Sequence, residues 1–181
     1  MNASLSSTSD HIRIGLLGCG HVGAALASLI VERRAVIVRR QGLDLEVTRI
    51  AVRNTAIDRG VPVNTDAFTT DAAAVVVDPN VDVVVEVMGG IEPARELIMA
   101  ALSAGKPVVT ANKELLANCG AELYALAADN GVDLLFEAAV AGAIPIMRPL
   151  RESLAGEPIR RVMGIVNGTT NFILSRMTED G

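Results

Sequence analysis

Aromatic residues are nearly absent from this chain, which has no Trp, one Tyr and three Phe among 181 residues. Any core must therefore be packed with Val, Ile, Leu and Ala. Positive charge is also short. The formal net charge is −5, and nothing gathers Lys and Arg into a strong basic face, which argues against non-specific nucleic-acid binding. The arginines between Arg33 and Arg40 are flanked by Glu32 and Asp44 and read as a solvated helix face or loop. With only two histidines, His11 and His21, no Ser-His-Asp or Cys-His set can be assembled. Cys19 and Cys119 are the only cysteines. Both sit in apolar helix or turn contexts, so free thiols and a cytoplasmic setting are expected, and no zinc-ligand spacing exists. No stretch approaches the roughly 18 consecutive apolar residues of a membrane span. Residues Met1–Asp10 are rich in Ser and Thr without a basic or apolar segment, and read as a disordered start rather than a signal peptide.

What the chain does have is apolar content, at 50% of residues. Its β-branched runs suit a parallel sheet buried on both faces. Strand-like and helix-like segments alternate, predicting an α/β, Rossmann-type doubly wound parallel sheet over residues 11–150. Strands are expected at Arg13–Leu17, Leu45–Arg53, Asp82–Val87, Pro107–Thr110 and Asp133–Glu137. A further short one is expected in the Val-Pro-Val stretch at 61–63. Helices are expected over His21–Val31, over Ala72–Val77 behind an Asp71 cap, from Pro93 to Ser103, and from Lys113 towards Asn130. After Ala138 the texture changes. Gly142, Pro145 and Pro149 crowd together, Ile146–Leu154 looks helical, Ile159–Val166 resembles a strand of a different sheet, and Gly168–Met177 a helix. Residues 151–181 are read as the start of a second, α+β domain.

Strand one runs into Gly18-Cys19-Gly20-His21-Val22-Gly23, the glycine spacing of a dinucleotide-binding turn. Gly18 permits the tight strand-to-helix turn, Gly20 lets the backbone approach a pyrophosphate, and Gly23 lets helix and strand pack closely. His21 and Val22 would offer backbone N–H groups at the positive end of the helix. The competing reading is a glycine-rich turn that packs a helix on a sheet and binds nothing.

Further candidates lie at strand ends, where open α/β sheets bind ligands. Arg53 ends strand two, where an acidic residue would bind the ribose hydroxyls of NAD and an arginine suits the 2′-phosphate of NADP. Asp44 lies near the right count from the glycines but begins that strand. Gly89 and Gly90 follow the most apolar strand and let backbone pass close to a ligand. Lys113 heads a helix, against the dipole preference. It either faces a ligand, bridging cofactor and substrate or assisting proton transfer, or is simply exposed. Glu137 ends its strand in apolar surroundings and needs partners. Either carbonyls of the irregular segment after it complete a hard-cation site, or Arg148 or Arg151 neutralises it. The polar run Asn167–Asn171 either cradles a small polar substrate or caps a helix.

Taken together these stretches resemble homoserine dehydrogenase. The likeness rests on Gly15–Gly23, Glu86-Val87-Met88-Gly89-Gly90-Ile91-Glu92-Pro93-Ala94, Val108-Val109-Thr110-Ala111-Asn112-Lys113, Glu137–Ile146 and Gly164–Asn171, and it covers nearly all of residues 11–181. The resemblance implies NAD(P)-dependent interconversion of L-homoserine and L-aspartate 4-semialdehyde, on the route to threonine and methionine. It implies that Lys113 contacts cofactor and substrate, that Gly168 and Thr169 lie beside the substrate, and that Glu137, Val140, Gly142 and Ile144 hold a sodium ion, mainly through carbonyls. A homodimer is implied for the full-length protein.

Two departures from the family stand out. Ile57 occupies the place where NADPH-using members often carry a lysine, with Arg59 nearby to compensate; this weakens the preference for NADP that Arg53 gives and leaves NAD open. The acidic substrate-binding residues, the general-acid lysine and the dimer sheet of the family lie beyond Gly181, so these residues are expected to form an inactive cofactor half. A stand-alone dinucleotide-binding module, regulatory or redox-sensing, is the alternative. It leaves Lys113 and Asn167–Asn171 without a purpose.

Overall fold

In a computed structural model, the described residues are 9–142, 144–164 and 168–179. Expectations for residues 1–8, for Ala143 and for Ile165-Val166-Asn167 lie outside them. Six parallel strands form one sheet: β1 (Asp10–Leu17), β2 (Leu43–Ala51), β3 (Phe68–Thr69), β4 (Val83–Glu86), β5 (Val108–Thr110) and β6 (Leu134–Leu135). Their spatial order is β3-β2-β1-β4-β5-β6, that of a dinucleotide-binding Rossmann sheet, with its topological switch point between β1 and β4. The helices are α1 (His21–Gln41), α2 (Ala72–Val77), α3 (Ala94–Ser103), α4 (Lys113–Asp129) and α5 (Gly168–Glu179).

Alternation along the strands divides the core into two layers. Leu16 and Val85 join Ala27 and Ile30 of α1, with Val47 and Ile50 of β2. Leu17 and Val84 turn the other way and pack with Val75 of α2, Ile98 and Leu102 of α3, and Leu115 and Leu123 of α4. The second layer is tight. A Cβ added at Gly15 would lie 2.8 Å from Val75 Cγ1 and 2.9 Å from Val81 Cγ1, so α2 can approach the sheet only because β1 carries a glycine there.

The structure corrects several sequence expectations. Asp10 belongs to β1 rather than to a disordered start: it pairs with Leu43, and its N–H donates to Gly42 O at 2.9 Å. Helix α1 runs ten residues past Val31, to Gln41. Arg39 and Arg40 in its last turn suit the negative end of the dipole, and Gly42 closes it in the left-handed conformation. Strand β2 ends at Ala51, so Arg53 stands on the loop beyond it. The Val61-Pro62-Val63 stretch is not a strand. The edge strand is instead Phe68–Thr69, secured by Val52 N donating to Thr69 O at 2.8 Å. Strand β6 stops at Leu135, and Glu137 falls in a single 3₁₀ turn, Glu137–Ala139. Residues 159–164 form no strand, since among the described residues no strand pairs with them. The helical expectation for Ile146–Leu154 narrows to a short turn ending in the π-helical Pro149–Ser153.

At the amino edge of the sheet, loop 78–82 gathers cations from neighbouring elements. Asp82 takes a bidentate pair from Arg13 (Nε 2.9 Å, Nη2 2.6 Å) and the Arg13 backbone N–H at 2.8 Å. Arg49 reaches Asp78 at 3.1 Å, and Lys106 donates to the Asp78 carbonyl. On the same edge Asp44, which begins β2, is held by Arg34 at 2.6 and 2.7 Å. Asp44 therefore has a structural partner and lies far from the carboxyl ends of the strands.

Candidate dinucleotide site

The carboxyl edge of the sheet is built around the turn from β1 into α1. Gly18 has φ +95°, and an added Cβ would lie 3.1 Å from Met88 N and from Val87 C and O. The turn is thus pressed against the segment leaving β4, and it is pinned by Gly18 N donating to Ala51 O at 3.0 Å. Gly23 lets α1 sit directly on the turn, since a Cβ there would come within 2.2 Å of Gly18 O. A Cβ at Gly20 would meet nothing within 4 Å, so its backbone faces open space. Gly20 caps α1 without a side-chain hydrogen bond, and the first turn carries no acidic residue. The N–H groups of His21 and Val22 at the head of α1 make no backbone hydrogen bond among the described residues, and the dipole favours an anion there. His21 is exposed and Val22 is 61% exposed beside them. Cys19 is buried, and that burial pushes its thiol up, against a smaller lowering from the Arg59 charge.

Beyond β2, Arg53 is exposed and makes no hydrogen bond or ion pair among the described residues. Arg59 is committed to its own loop: it donates to Ile57 O at 2.7 Å and Asn54 O at 2.9 Å, and lies over the Phe68 ring at 5.8 Å. It closes the 54–59 loop, while Arg53 stays free at the strand end.

The switch point carries a group that sequence reading missed. Glu86 ends β4 and is fully buried. Its Oε1 accepts from Met88 N at 2.7 Å and Gly89 N at 3.2 Å, and its Oε2 from Thr110 Oγ1 at 2.6 Å. The Thr110 hydroxyl accepts in turn from Asn112 N at 3.0 Å. Asn112 donates from Nδ2 to Gly90 O at 2.6 Å and caps α4 by accepting from Leu115 N at 3.1 Å. Lys113 is the next residue, exposed, and its side chain makes no hydrogen bond or ion pair among the described residues. The signal available in the sequence was one polar residue closing each of two apolar runs, Val-Val-Val-Glu and Val-Val-Thr. Through this network the glycine turn, Gly89 and Lys113 come together on one edge.

A second cluster forms around Glu137. Its carboxylate accepts from the backbone N–H groups of Ile146 at 2.5 Å, Met147 at 3.0 Å and Arg148 at 2.8 Å. Burial alone would push it up, but those three amides, helped by the Arg148 charge, outweigh burial and hold it below the usual carboxylate range. Among the described residues neither arginine forms an ion pair with it: Arg148 pairs with Glu152 and Arg151 with Asp133. The carbonyls of Val140, Gly142 and Ile144 accept no backbone hydrogen bond among the described residues. Gly168 and Thr169 open α5.

Comparison with known proteins agrees with this fold. A family model described as "Homoserine dehydrogenase, NAD binding domain" matches residues 18–137, and one described as "Homoserine dehydrogenase" matches residues 145–181. The chain is 52% identical to homoserine dehydrogenase of Corynebacterium glutamicum and 49% identical to that of Mycobacterium tuberculosis. Each alignment spans 94% of this chain and 38% of the relative. The crystal structure of the Thiobacillus denitrificans homoserine dehydrogenase superimposes with a TM-score of 0.81 at 48% identity, covering 94% of this chain and 39% of that one. A hyperthermophilic archaeal homoserine dehydrogenase in complex with NADPH superimposes at 0.76 with 31% identity, covering 94% and 57%. The chain thus spans under two fifths of the length of these curated relatives.

Proposed function

Because this chain belongs to the homoserine dehydrogenase family, we propose that it supplies the cofactor half of an NADP-preferring enzyme that interconverts L-homoserine and L-aspartate 4-semialdehyde. The observation that carries the reading is the match over residues 18–137 to a glycine turn that is open at Gly20. The bound nicotinamide would supply the hydride exchanged with the aldehyde carbon. This chain's residues do the rest of the binding. Gly18, Gly20 and Gly23 shape the phosphate turn, and the N–H groups of His21 and Val22 meet the pyrophosphate. Arg53 meets the 2′-phosphate with a charge-assisted hydrogen bond. Gly89 brings backbone against the cofactor, and Lys113 orients cofactor and substrate together. Gly168 and Thr169 lie beside the substrate.

Glu137 and the carbonyls of Val140, Gly142 and Ile144, which accept no backbone hydrogen bond among the described residues, are hard oxygen donors, which fit a sodium ion. Its role would be to fix the 137–148 segment. We place the boundary with the catalytic and dimerisation unit near residue 150, and assign a homodimer and a cytoplasmic location to the full-length enzyme. Proton donation to the substrate oxygen is assigned to groups beyond these residues, so the 181-residue chain is expected to bind cofactor and not to turn over.

Titration calorimetry of this chain with NADPH and NADH tests the reading. Arg53→Ala should weaken NADPH by about tenfold or more, the value of one charge-assisted bond, and leave NADH nearly unchanged. Equal losses for both nucleotides would refute the NADP assignment. Robust NADPH oxidation with aspartate semialdehyde on this chain would refute the division of labour.

A further inference from the structure

Glu86 is the one fully buried carboxylate among the described residues, and the function proposed above does not use it. Among those residues no Lys or Arg pairs with it, so its partners are amides and a hydroxyl. Burying a carboxylate away from water is costly unless every lone pair is used. An apolar side chain would fill the same place in a Val-rich strand at lower cost. The arrangement suggests what that cost maintains. Gly89 and Gly90 both have positive φ, at +76° and +75°, and glycine has little intrinsic preference for any one conformation. Left alone, this pair would sample many geometries. Glu86 fixes the two amides at Met88 and Gly89, and Asn112 fixes the Gly90 carbonyl from the other side. Asn112 is fixed in turn by Thr110, and Thr110 by Glu86.

The bonds close into a ring that joins the loop after β4 to the head of α4. We propose that Glu86 is a positioning residue, acting with Thr110 and Asn112 to hold the 88–90 backbone and Lys113 as one rigid rim of the cofactor site. The proposal rests on the reading that cofactor lies over Gly89 and Lys113. It adds that the spacing between those two contacts is set by a buried carboxylate that touches neither cofactor nor substrate. Of Glu86's neighbours, Thr110 tests the ring separately from the strand, because valine matches its shape without the hydroxyl.

The test is amide hydrogen exchange on the free chain, read by NMR, combined with NADPH calorimetry on the same variants. Glu86→Gln should speed exchange at Met88, Gly89 and Leu115 by about tenfold, the effect of losing one buried partner, while amides within α1 and β1 stay unchanged. Thr110→Val should speed exchange at Asn112 and Leu115, and Thr110→Ser should restore it. In both disrupting variants NADPH affinity should fall while the serine variant recovers it. Unchanged exchange at Leu115 in Glu86→Gln, or an equal rise across all core amides, would overturn the proposal. The Thr110 pair decides the matter if Glu86→Gln does not fold. If the unaltered chain binds no NADPH, the cofactor reading falls, and the exchange pattern alone decides whether the ring acts as a unit.

Discussion

Gly20 and Gly23 look equivalent as letters, and the structure makes opposite demands on them. An alanine methyl at position 23 would lie 2.2 Å from Gly18 O and 3.0 Å from Gly18 C. Those are backbone atoms, and they cannot yield freely. Gly18 N is bonded to Ala51 O, and the turn already touches Val87 and Met88. Helix α1 must instead back away by about 1 Å to reach ordinary contact. That loosens Ala27 and Ile30 against Leu16 and Val85. Overpacking of this kind costs about 2 kcal/mol. With a urea dependence of roughly 2 kcal/mol per molar, Gly23→Ala should lower the unfolding midpoint by about 1 M, read by circular dichroism. Gly20 has an ordinary φ of −79° and open space around its missing Cβ. Gly20→Ala should therefore leave stability within about 0.5 kcal/mol. Its methyl would stand where a pyrophosphate approaches, so calorimetry should show NADPH binding weakened by at least about tenfold, or 1.4 kcal/mol. A Gly23→Ala chain unfolding at the original midpoint, or a Gly20→Ala chain with undiminished affinity, would refute the division of roles between the two glycines.

The remaining predictions concern stability. Asp71 caps α2 by accepting from Ala74 N at 2.9 Å, so Asp71→Ala should cost about 1 kcal/mol in urea unfolding, with Asp71→Ser restoring most of it. The carboxyl of Asp82 is lowered to about 2, first by the Arg13 side chain and then by its backbone N–H, against the opposing effect of burial. A depressed carboxylate contributes stability that is present above its unfolded value of about 3.9 and is lost as pH falls through the folded value. Asp82→Asn should therefore lower stability at neutral pH and flatten the loss between about pH 4 and pH 2, measured as urea midpoints across that range.

Much of the fold was legible because it is written locally. Asp71 before Ala-Ala-Ala-Val-Val-Val is a cap signal that needs no tertiary context, and the structure places that helix at Ala72–Val77. The strands Val83–Glu86 and Val108–Thr110 stood out as apolar runs for the same reason. The errors fall where distant partners decide. The apolar periodicity of α1 fades among its arginines, yet the helix continues to a glycine cap and an arginine from it reaches Asp44 across the edge. A Val-Pro-Val stretch looks more strand-like than Phe68–Thr69, but only the latter meets the free edge at Ile50 and Ala51. Within the site, the glycines announced themselves by spacing. Glu86 did not, because a single charge at the end of an apolar run looks like a solvent-facing terminus until Thr110 and the 88–89 amides are placed around it.

The loop at 78–82, with Arg13, Arg49 and Lys106 drawn onto it, lies at the end of the strands opposite the glycine turn. Sites so far apart, sharing no partners, respond to substitution nearly independently. The molecule thus separates what makes it durable from what makes it selective. Drift or engineering at the amino edge can raise or lower resistance to heat and acid with the nucleotide pocket undisturbed, and the open positions of the carboxyl edge, Gly20 and Arg53, can be retuned towards another nucleotide without eroding the scaffold that carries them, which Gly23 cannot.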